Sequence, residues 1–275
     1  MKELAGRTAV ITGAASGAGR ALALECARER MNVVIADVEL EPAQGVVQEI
    51  EKLDRRAIAV QTDVTDRASV EALADRAYAE FGEVNLLINN AGVSRRSPLA
   101  EPADDNWNWI LAVNLWGPLN GVYAFVPRMR EQEGPAHIVN TASVSGLVAR
   151  RNVNGIYTSV KHALVGLTNV LRDELEPDGI VVSCWCPGGM LTNIGDSGRN
   201  RQAEFGGTYS EEARRTEREP NPMTAEDVAP RVLAAIREER RYIFSHPATR
   251  ATVEEYYRQI LDDYDAGERI AAEVG

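Results

Sequence analysis

Short apolar runs recur along the chain and alternate with longer amphipathic stretches. The runs cover residues 8–11, 33–36, 57–60, 86–89, 137–140, 180–185 and 242–244. The stretches 18–30, 41–53, 67–81, 104–129 and 156–175 place apolar residues three and four positions apart, the spacing of one helix face. Parallel crossovers need long connections, so this alternation predicts a parallel sheet covered by helices on both faces. We therefore predict one doubly wound α/β domain over residues 1–275, with about seven strands.

Two regions depart from this alternation. Residues 188–223 are polar, irregular and rich in glycine. They follow the sixth run, at the edge where open parallel sheets bind ligands, and a loop of this length is typical of a functional lid. The tail, 249–275, mixes large apolar residues with charges and predicts an amphipathic helix that closes the site or packs on a partner subunit. Within the fourth helical stretch, Gly117-Pro118 predicts a kink.

Composition narrows the class of partner. The formal net charge of -11 would repel phosphate backbones and anionic lipids, so we expect neither nucleic acid nor a membrane as the main partner. There is no run of about eighteen apolar residues and no space for a signal peptide before the first strand, which predicts a cytoplasmic protein. The cysteines, Cys26, Cys184 and Cys186, cannot all pair and predict buried reduced thiols. Histidines with ligand spacing do not accompany the Cys-x-Cys pair, so we predict no metal.

A glycine-rich turn over residues 12–19 follows the first run and opens the first helix. Glycines there let backbone amides approach a pyrophosphate at the helix N-terminus. A tight turn without a ligand is the alternative, which the strand-turn-helix context disfavours. Asp37 ends the second run, where a carboxylate can accept hydrogen bonds from the adenosine ribose. It would repel a 2′-phosphate, and neither Ser16 nor Val38 is basic, so the sequence favours NAD over NADP.

Three residues form a candidate catalytic group. Tyr157 and Lys161 are four positions apart in a helical stretch and project from one face. A tyrosine with an ordinary pKa of about 10 needs roughly three units of depression to act near neutral pH, and an ammonium group with oxidised nicotinamide can supply it. Ser143 follows the fifth run, where its hydroxyl could hold a substrate oxygen beside Tyr157. Each residue alone has an ordinary structural explanation, and the combination indicates chemistry.

With these motifs assembled, the sequence resembles the short-chain dehydrogenase/reductase family over essentially its whole length. The matching motifs are residues 12–19, Asn89-Asn90-Ala91-Gly92, Asn114, Ser143, Tyr157-x-x-x-Lys161, and Pro187-Gly188 followed by Thr192. The resemblance implies a Rossmann-type fold, with Tyr157 as general acid/base and Ser143 polarising the substrate oxygen. It also implies that Lys161 holds the nicotinamide ribose and lowers the pKa of Tyr157, and that Asn114 positions a water in a proton relay. The implied NAD-binding residues are Gly13, Ser16, Gly17, Ala18, Gly19, Asp37, Asp63, Val64, Asn90, Ala91, Gly92, Tyr157, Lys161, Pro187, Gly188, Met190 and Thr192.

The resemblance has one departure and a finer branch. Ala18 replaces the bulkier aliphatic residue that the family commonly places between the last two glycines. The segments 109–117, 126–129 and 245–250 are similar to bacterial dehydrogenases that oxidise benzylic alcohols of lignin-derived aryl ethers. The family also implies a homodimer or homotetramer.

The leading prediction is therefore an NAD-dependent enzyme that interconverts a secondary alcohol and a ketone. An NADPH-type ketone reductase is the second interpretation. A dinucleotide-binding regulatory protein without turnover is the third, and its mark would be a missing Ser, Tyr or Lys. Substrate, stereochemistry and direction stay open.

Overall fold

A computed structural model describes residues 1–149, 154–210 and 223–274. Its main sheet has seven parallel strands, which are β1 (Thr8–Thr12), β2 (Asn32–Asp37), β3 (Ala57–Gln61), β4 (Leu86–Asn89), β5 (Ala136–Thr141), β6 (Ile180–Trp185) and β9 (Tyr242–Ile243). Their order in the sheet is β3-β2-β1-β4-β5-β6-β9. Two short strands, β7 (Met190–Leu191) and β8 (Met223–Thr224), pair separately. The predicted parallel sheet is confirmed, and its strands match the seven apolar runs.

Helices cover both faces of the sheet. They are α1 (Gly17–Arg28), α2 (Leu40–Glu51), α3 (Arg67–Phe81), α4 (Asp104–Leu111), α5 (Gly117–Glu131), α6 (Gly155–Leu175), α7 (Ala225–Arg237) and α8 (Arg250–Val274). Side chains of β1 alternate between two cores: Ala9 and Ile11 pack with α1, α2 and α7, whereas Val10 packs with α3 to α6. Burial of strands on both faces explains why they are continuously apolar.

The strand order changes direction between β1 and β4. From β1 the chain first builds outward through β2 and β3, and then returns to place β4, β5, β6 and β9 on the other side. The connections at this point leave in opposite directions, so a crevice opens at the carboxyl ends of β1 and β4. The glycine-rich turn follows β1, and Asn90 follows β4, so both sequence motifs lie at this crevice.

The predicted interruption of the fourth helical stretch is a π-helical turn over Ala112–Trp116, between α4 and α5. Proline has no N–H, so Pro118 cannot donate to the carbonyl of Asn114, and the hydrogen bonds shift by one residue as Gly117 donates to Ala112. The combined stretch Asp104–Glu131 is long and apolar enough to cross a bilayer, but 67% of its most apolar window is buried inside the protein. It is a core helix that brings Asn114 to the crevice.

Helix α7 is absent from the predicted helices. Its N-terminus has a reciprocal cap, in which the Thr224 hydroxyl accepts from the Asp227 N–H and donates to the Asp227 carboxylate. Val228, Val232 and Ile236 face the core at helical spacing. The polar segment before it and Pro230 inside it hide this periodicity. The predicted lid, 188–223, is described except for residues 211–222, which lie outside the described part. Beyond it, α8 leaves Ile260, Leu261 and Tyr264 exposed.

Candidate active site

The glycine-rich turn is shaped by close backbone contacts. A Cβ on Gly13 would lie 2.8 Å from Cα of Ala91, and one on Gly19 would lie 2.1 Å from the carbonyl oxygen of Gly13. Gly13 and Gly17 also have positive φ angles of 64° and 53°. Ser16 occupies the N-cap of α1 without a side-chain capping bond, and the first turn has no acidic residue. The amides at this helix end therefore suit an anionic group.

Asp37 lies at the end of β2, beside the turn. Its Oδ2 accepts a hydrogen bond from the N–H of Ala15 at 2.9 Å, and its Oδ1 accepts from the N–H of Glu39 at 3.0 Å. Burial raises the pKa of Asp37 above its ordinary value, and the two backbone donors act against that rise. Each carboxylate oxygen keeps a free lone pair for a further donor, such as a ribose hydroxyl.

A cavity of about 430 Å³ adjoins Asp37. It is lined by Val38, Gln61, Asp63, Ser69, Asn200 and Gln202. Asp63 lies in the wall with Oδ1 bound by the Thr65 N–H, whereas Val64 packs its side chain toward Gly117 and gives its carbonyl to Asn120. Of these two implied NAD-binding residues, Asp63 therefore lines the cavity, whereas Val64 packs its side chain away from it.

The segment after β4 forms the opposite wall. The Asn90 amide donates to the carbonyl oxygens of Thr12 at 2.9 Å and Gly13 at 3.2 Å, and the N–H groups of Asn90 and Ala91 both donate to the Thr12 hydroxyl. Asn90 thus fixes the glycine turn through its side chain. Gly92 follows, where a Cβ would lie 3.2 Å from Asn114 Oδ1 and 3.9 Å from Lys161 Nζ. This wall joins the turn to the predicted catalytic residues.

Helix α6 and the end of β5 bring Ser143, Tyr157 and Lys161 together. The Ser143 side chain lies close enough to the Tyr157 hydroxyl to lower its pKa, and the Ser143 Oγ accepts from the Ser145 N–H at 3.1 Å. Lys161 Nζ donates to the carbonyl of Thr141 at 2.7 Å and lies 5.5 Å from the centre of the Tyr157 ring. The pair projects from one helix face, as the spacing predicts.

The surroundings of Tyr157 in the protein raise its pKa, whereas the sequence analysis expected a depression. Burial raises the pKa of Tyr157 to about 12, against a smaller opposing effect of the Ser143 hydrogen bond. Burial also lowers the pKa of Lys161 to about 8. The buried sulfur atoms of Cys184 and Cys186, 3.7 Å apart, counteract part of that shift. The depression predicted from sequence assumed oxidised nicotinamide nearby, and desolvation dominates in the chain by itself.

Asn114 is buried completely, and its side chain has both polar groups occupied. Its Oδ1 accepts from the N–H of Val93 at 2.9 Å, and its Nδ2 donates to the carbonyl of Val93 at 2.8 Å. The side chain therefore anchors the segment after β4. Its main-chain carbonyl faces Pro118, which has no N–H to give. A water in the predicted relay would bind this carbonyl rather than the amide.

The segment after β6 crosses the crevice as a strap, here defined as residues 187–210. It starts at Pro187, whose carbonyl accepts from the Val144 N–H at 2.9 Å. Gly188 packs so closely that a Cβ there would lie 3.1 Å from the His246 side chain and 3.0 Å from that of Thr249. Met190 lies in β7, and Thr192 contacts Gly17 at the glycine turn. All four predicted strap residues thus follow the crevice.

The strap then reaches the adenosine end, through contacts that the sequence did not predict. Arg199 forms a two-point ion pair with Glu39, with Nη2 to Oε2 at 2.6 Å and Nε to Oε1 at 3.3 Å. Gln202 Nε2 donates to Asp63 Oδ2 at 2.8 Å. Arg199 is a basic residue near the ribose side, but it comes from 160 positions away in sequence and Glu39 neutralises it. No local pattern reports such a pairing.

Comparison with known proteins identifies this architecture. The sequence pattern described as short chain dehydrogenase matches residues 7–203. The chain belongs to the short-chain dehydrogenase family. The chain is therefore an oxidoreductase, in agreement with relatives that are named dehydrogenases.

Three members of the short-chain dehydrogenase family illustrate the range of similarity. A C alpha-dehydrogenase of Sphingobium is 32% identical over 268 residues, covering 95% of this chain and 88% of the relative. A 1-deoxy-11-beta-hydroxypentalenate dehydrogenase of Streptomyces exfoliatus is 34% identical, covering 92% and 88%. A crystal structure of a short-chain dehydrogenase/reductase from Burkholderia phymatum in complex with NAD has a TM-score of 0.87 and 39% identity, covering 96% of this chain and 97% of that chain.

The residues of this short-chain dehydrogenase fit a nicotinamide dinucleotide. The glycine turn leaves no room for a Cβ at Gly13 or Gly19 and presents uncapped helix amides to a pyrophosphate. Asp37 faces the ribose position, and the cavity beside it has the size for a nucleobase. The Tyr157 and Lys161 side chains lie at the far end of the same crevice. The order of these features along the crevice matches the order of groups in the cofactor.

Proposed function

We propose that this protein is an NAD-dependent dehydrogenase that interconverts a secondary alcohol and a ketone. The observation that carries the proposal is the convergence of Ser143, Tyr157 and Lys161 at the sheet edge that also carries the glycine turn, with Lys161 Nζ 5.5 Å from the centre of the Tyr157 ring. A bound nicotinamide dinucleotide supplies the carbon that accepts the hydride from the carbinol carbon. The chain supplies binding, orientation and proton transfer.

In the oxidising direction, Tyr157 removes the proton of the alcohol while Ser143 donates a hydrogen bond to the substrate oxygen. A neutral tyrosine with a pKa of about 12 is a poor base near pH 7. Positive charge nearby stabilises the phenolate, and Lys161, with its pKa lowered to about 8, is protonated below that pH. The proton leaves Tyr157 toward solvent by way of Lys161 and a water on the Asn114 carbonyl.

The preference for NAD rests on two carboxylates at the adenosine end. Asp37 is held by backbone donors, and Glu39 is held by Arg199. The negative charge of Asp37 would repel a 2′-phosphate. Arg199 is the only basic residue that the described strap brings to Glu39, and it is already paired there. The second interpretation, an NADPH-type ketone reductase, requires Arg199 to leave Glu39.

A benzylic alcohol is the substrate class we favour within this reaction. The support is similarity over 95% of the chain to a relative named C alpha-dehydrogenase.

The test is the absorbance of reduced nicotinamide, recorded with NAD and separately with NADP across a panel of 1-aryl and aliphatic secondary alcohols. We expect reduction of NAD, fastest with the aryl alcohols. A preference for NADP would contradict the role of Asp37 and Glu39. Absence of turnover with every alcohol, when dinucleotide binding is intact, would favour a regulatory protein.

A further inference from the structure

Two arginine side chains stack around one aromatic pair that joins the strap to α4. The guanidinium carbon of Arg95 lies 4.1 Å from the centre of the Tyr209 ring. Arg201 lies 5.5 Å from the same ring and 5.2 Å from the ring of Trp109. Trp109 and Tyr209 meet edge to face at 6.0 Å. Four groups from three separate segments thus converge on one place.

Within the described ranges, neither of these arginines forms an ion pair with a carboxylate. Arg201 is only 4% exposed, and its Nε has no hydrogen-bond partner. Burial lowers the pKa of Arg201, and the charge of Arg95 lowers it further. Asp105 attracts Arg201 from α4 without reaching ion-pair distance. The two cations therefore repel each other, and water solvates the buried Arg201 poorly.

A buried cation without a partner is costly, and its removal from water is compensated only by an opposite charge with hydrogen bonds. The aromatic faces of Trp109 and Tyr209 offset part of the cost but leave the Nε–H of Arg201 without a hydrogen bond. A carboxylate matches these groups, since its two oxygens accept from the planar edge of a guanidinium. The cluster is thus complementary to an organic anion.

The cluster lies in segments that also build the alcohol end of the crevice. Arg95 is two residues beyond Val93, whose backbone holds Asn114, and Trp109 lies in α4 ahead of Asn114. Ser94 donates to Ser197 of the strap at 3.2 Å. Ser97 forms a β-bridge with Asn154, three residues before Tyr157. These contacts connect the segments that carry the cluster to Asn114, to the strap and to the stretch that leads into Tyr157.

We propose that Arg95 and Arg201 bind a carboxylate group of the substrate. On this proposal, which rests on the function proposed above, the preferred substrate is a secondary alcohol or ketone that carries an acid group beyond its reacting carbon. The anion completes the cluster and draws the strap onto the bound substrate, since Arg201 belongs to the strap.

The first arm of the test compares two alcohols that differ only in charge, 4-(1-hydroxyethyl)benzoate and 1-phenylethanol, with NAD. We expect the wild type to favour the acid in kcat/KM, and Arg95→Gln and Arg201→Gln to reduce that preference roughly 10- to 100-fold, the range for hydrogen bonds to charged groups. Turnover of 1-phenylethanol and the Kd for NADH should stay near wild type. Arg67→Gln, which removes an exposed guanidinium 5.0 Å from the Tyr123 ring, is the matched control.

The second arm measures binding without turnover. Benzoate is titrated into the wild type and the three variants by calorimetry, with NADH present. Binding that is lost in Arg95→Gln and Arg201→Gln, and kept in Arg67→Gln, supports the anion site even if neither alcohol is oxidised, in which case the proposed reaction fails alone. The anion site is overturned if wild type binds no benzoate and shows no preference for the acid. It is also overturned if both alcohols lose rate equally in the variants, because the arginines would then only brace the strap.

Discussion

Arg199 and Arg201 are two residues apart in the strap, yet their side chains have opposite surroundings. Arg199 reaches the adenosine end, where Glu39 binds it through two hydrogen bonds and raises its pKa above the ordinary value. Arg201 is buried against Trp109 and Tyr209, and burial lowers its pKa. One segment thus holds a cation that is paired with a carboxylate and, two residues later, a cation without a carboxylate partner among the described residues.

This contrast separates the two halves of the site. The adenosine half is complete within the chain, because Asp37, Glu39 and Asp63 all have partners from the backbone or the strap. In the alcohol half, Arg201 Nε has no hydrogen-bond partner among the described residues, so this half has more to gain from a ligand. We infer that fixed charges in the adenosine half determine which cofactor binds. The alcohol half instead favours a substrate whose negative charge balances that of its arginines.

The largest effect that would sharpen this division is loss of the Tyr157 hydroxyl. Tyr157→Phe should lower kcat by roughly 10²- to 10⁴-fold, the usual contribution of a positioned acid/base. The Kd for NADH, measured by dinucleotide fluorescence, should stay near the wild-type value because the adenosine half is untouched. Activity close to wild type would remove Tyr157 from the mechanism.

The next effect concerns the glycine turn in the other half. Gly19→Ala places a Cβ about 2.1 Å from the carbonyl oxygen of Gly13, so the backbone must shift where the pyrophosphate binds. We expect NADH binding to weaken roughly 10- to 100-fold, in line with overpacking costs of about 1–3 kcal/mol. Gly45→Ala is the control, since a Cβ there meets nothing within 4 Å. Unchanged NADH affinity in Gly19→Ala would argue against a phosphate site at this turn.

A smaller change tests the charge of the adenosine half directly. Glu39→Gln removes one carboxylate and releases Arg199, so the affinity for NADPH relative to NADH should rise by roughly 3- to 10-fold, the range for a partly exposed ion pair. The matched control is Glu49→Gln, which breaks the two-point pair with Arg20 on the outer surface of α1. An equal shift in both variants would mean that the effect is one of overall charge.

The last prediction concerns stability and not activity, as a pH dependence in the alcohol half. The pKa of Lys161 falls from 10.5 to about 8 on folding, so between these values the unfolded chain binds more protons than the folded one. Stability from this group therefore rises with pH across that window, by at most about 1.4 kcal/mol per pH unit, and the full penalty is present below pH 8. Lys161→Met should show a smaller rise from pH 8 to 10 in urea unfolding. Parallel curves would place the Lys161 ammonium in a more polar environment than its burial indicates.

Elements with strong periodicity could be predicted from the sequence, and long-range pairings could not. The apolar runs identify all seven strands of the main sheet, and the spacing of Tyr157 and Lys161 places both on one helix face. Helix α7 was not predicted because Pro230 lies inside it and a polar segment precedes it, so its apolar spacing is hard to recognise. Two-residue strands such as β7 are too short to carry a pattern.

The site shows the same limit at the level of side chains. Motifs locate Asp37, Asn114 and Ser143, but they do not reveal that Val93 occupies both polar groups of the Asn114 side chain. The pairing of Arg199 with Glu39 depends on how the strap crosses the crevice, and this path is set by tertiary packing. Charge partners of this kind follow from the three-dimensional structure alone.

Transfer of hydrogen from substrate to cofactor tests the proposed reaction most directly. The measurement uses 4-(1-hydroxyethyl)benzoate carrying deuterium on the carbinol carbon, with NAD, and locates the label by NMR. We predict deuterium on the nicotinamide C4 of the NADH formed and slower turnover than with the unlabelled alcohol. Reduced nicotinamide without deuterium, or no reduction of NAD by either this alcohol or 1-phenylethanol, would contradict the proposal.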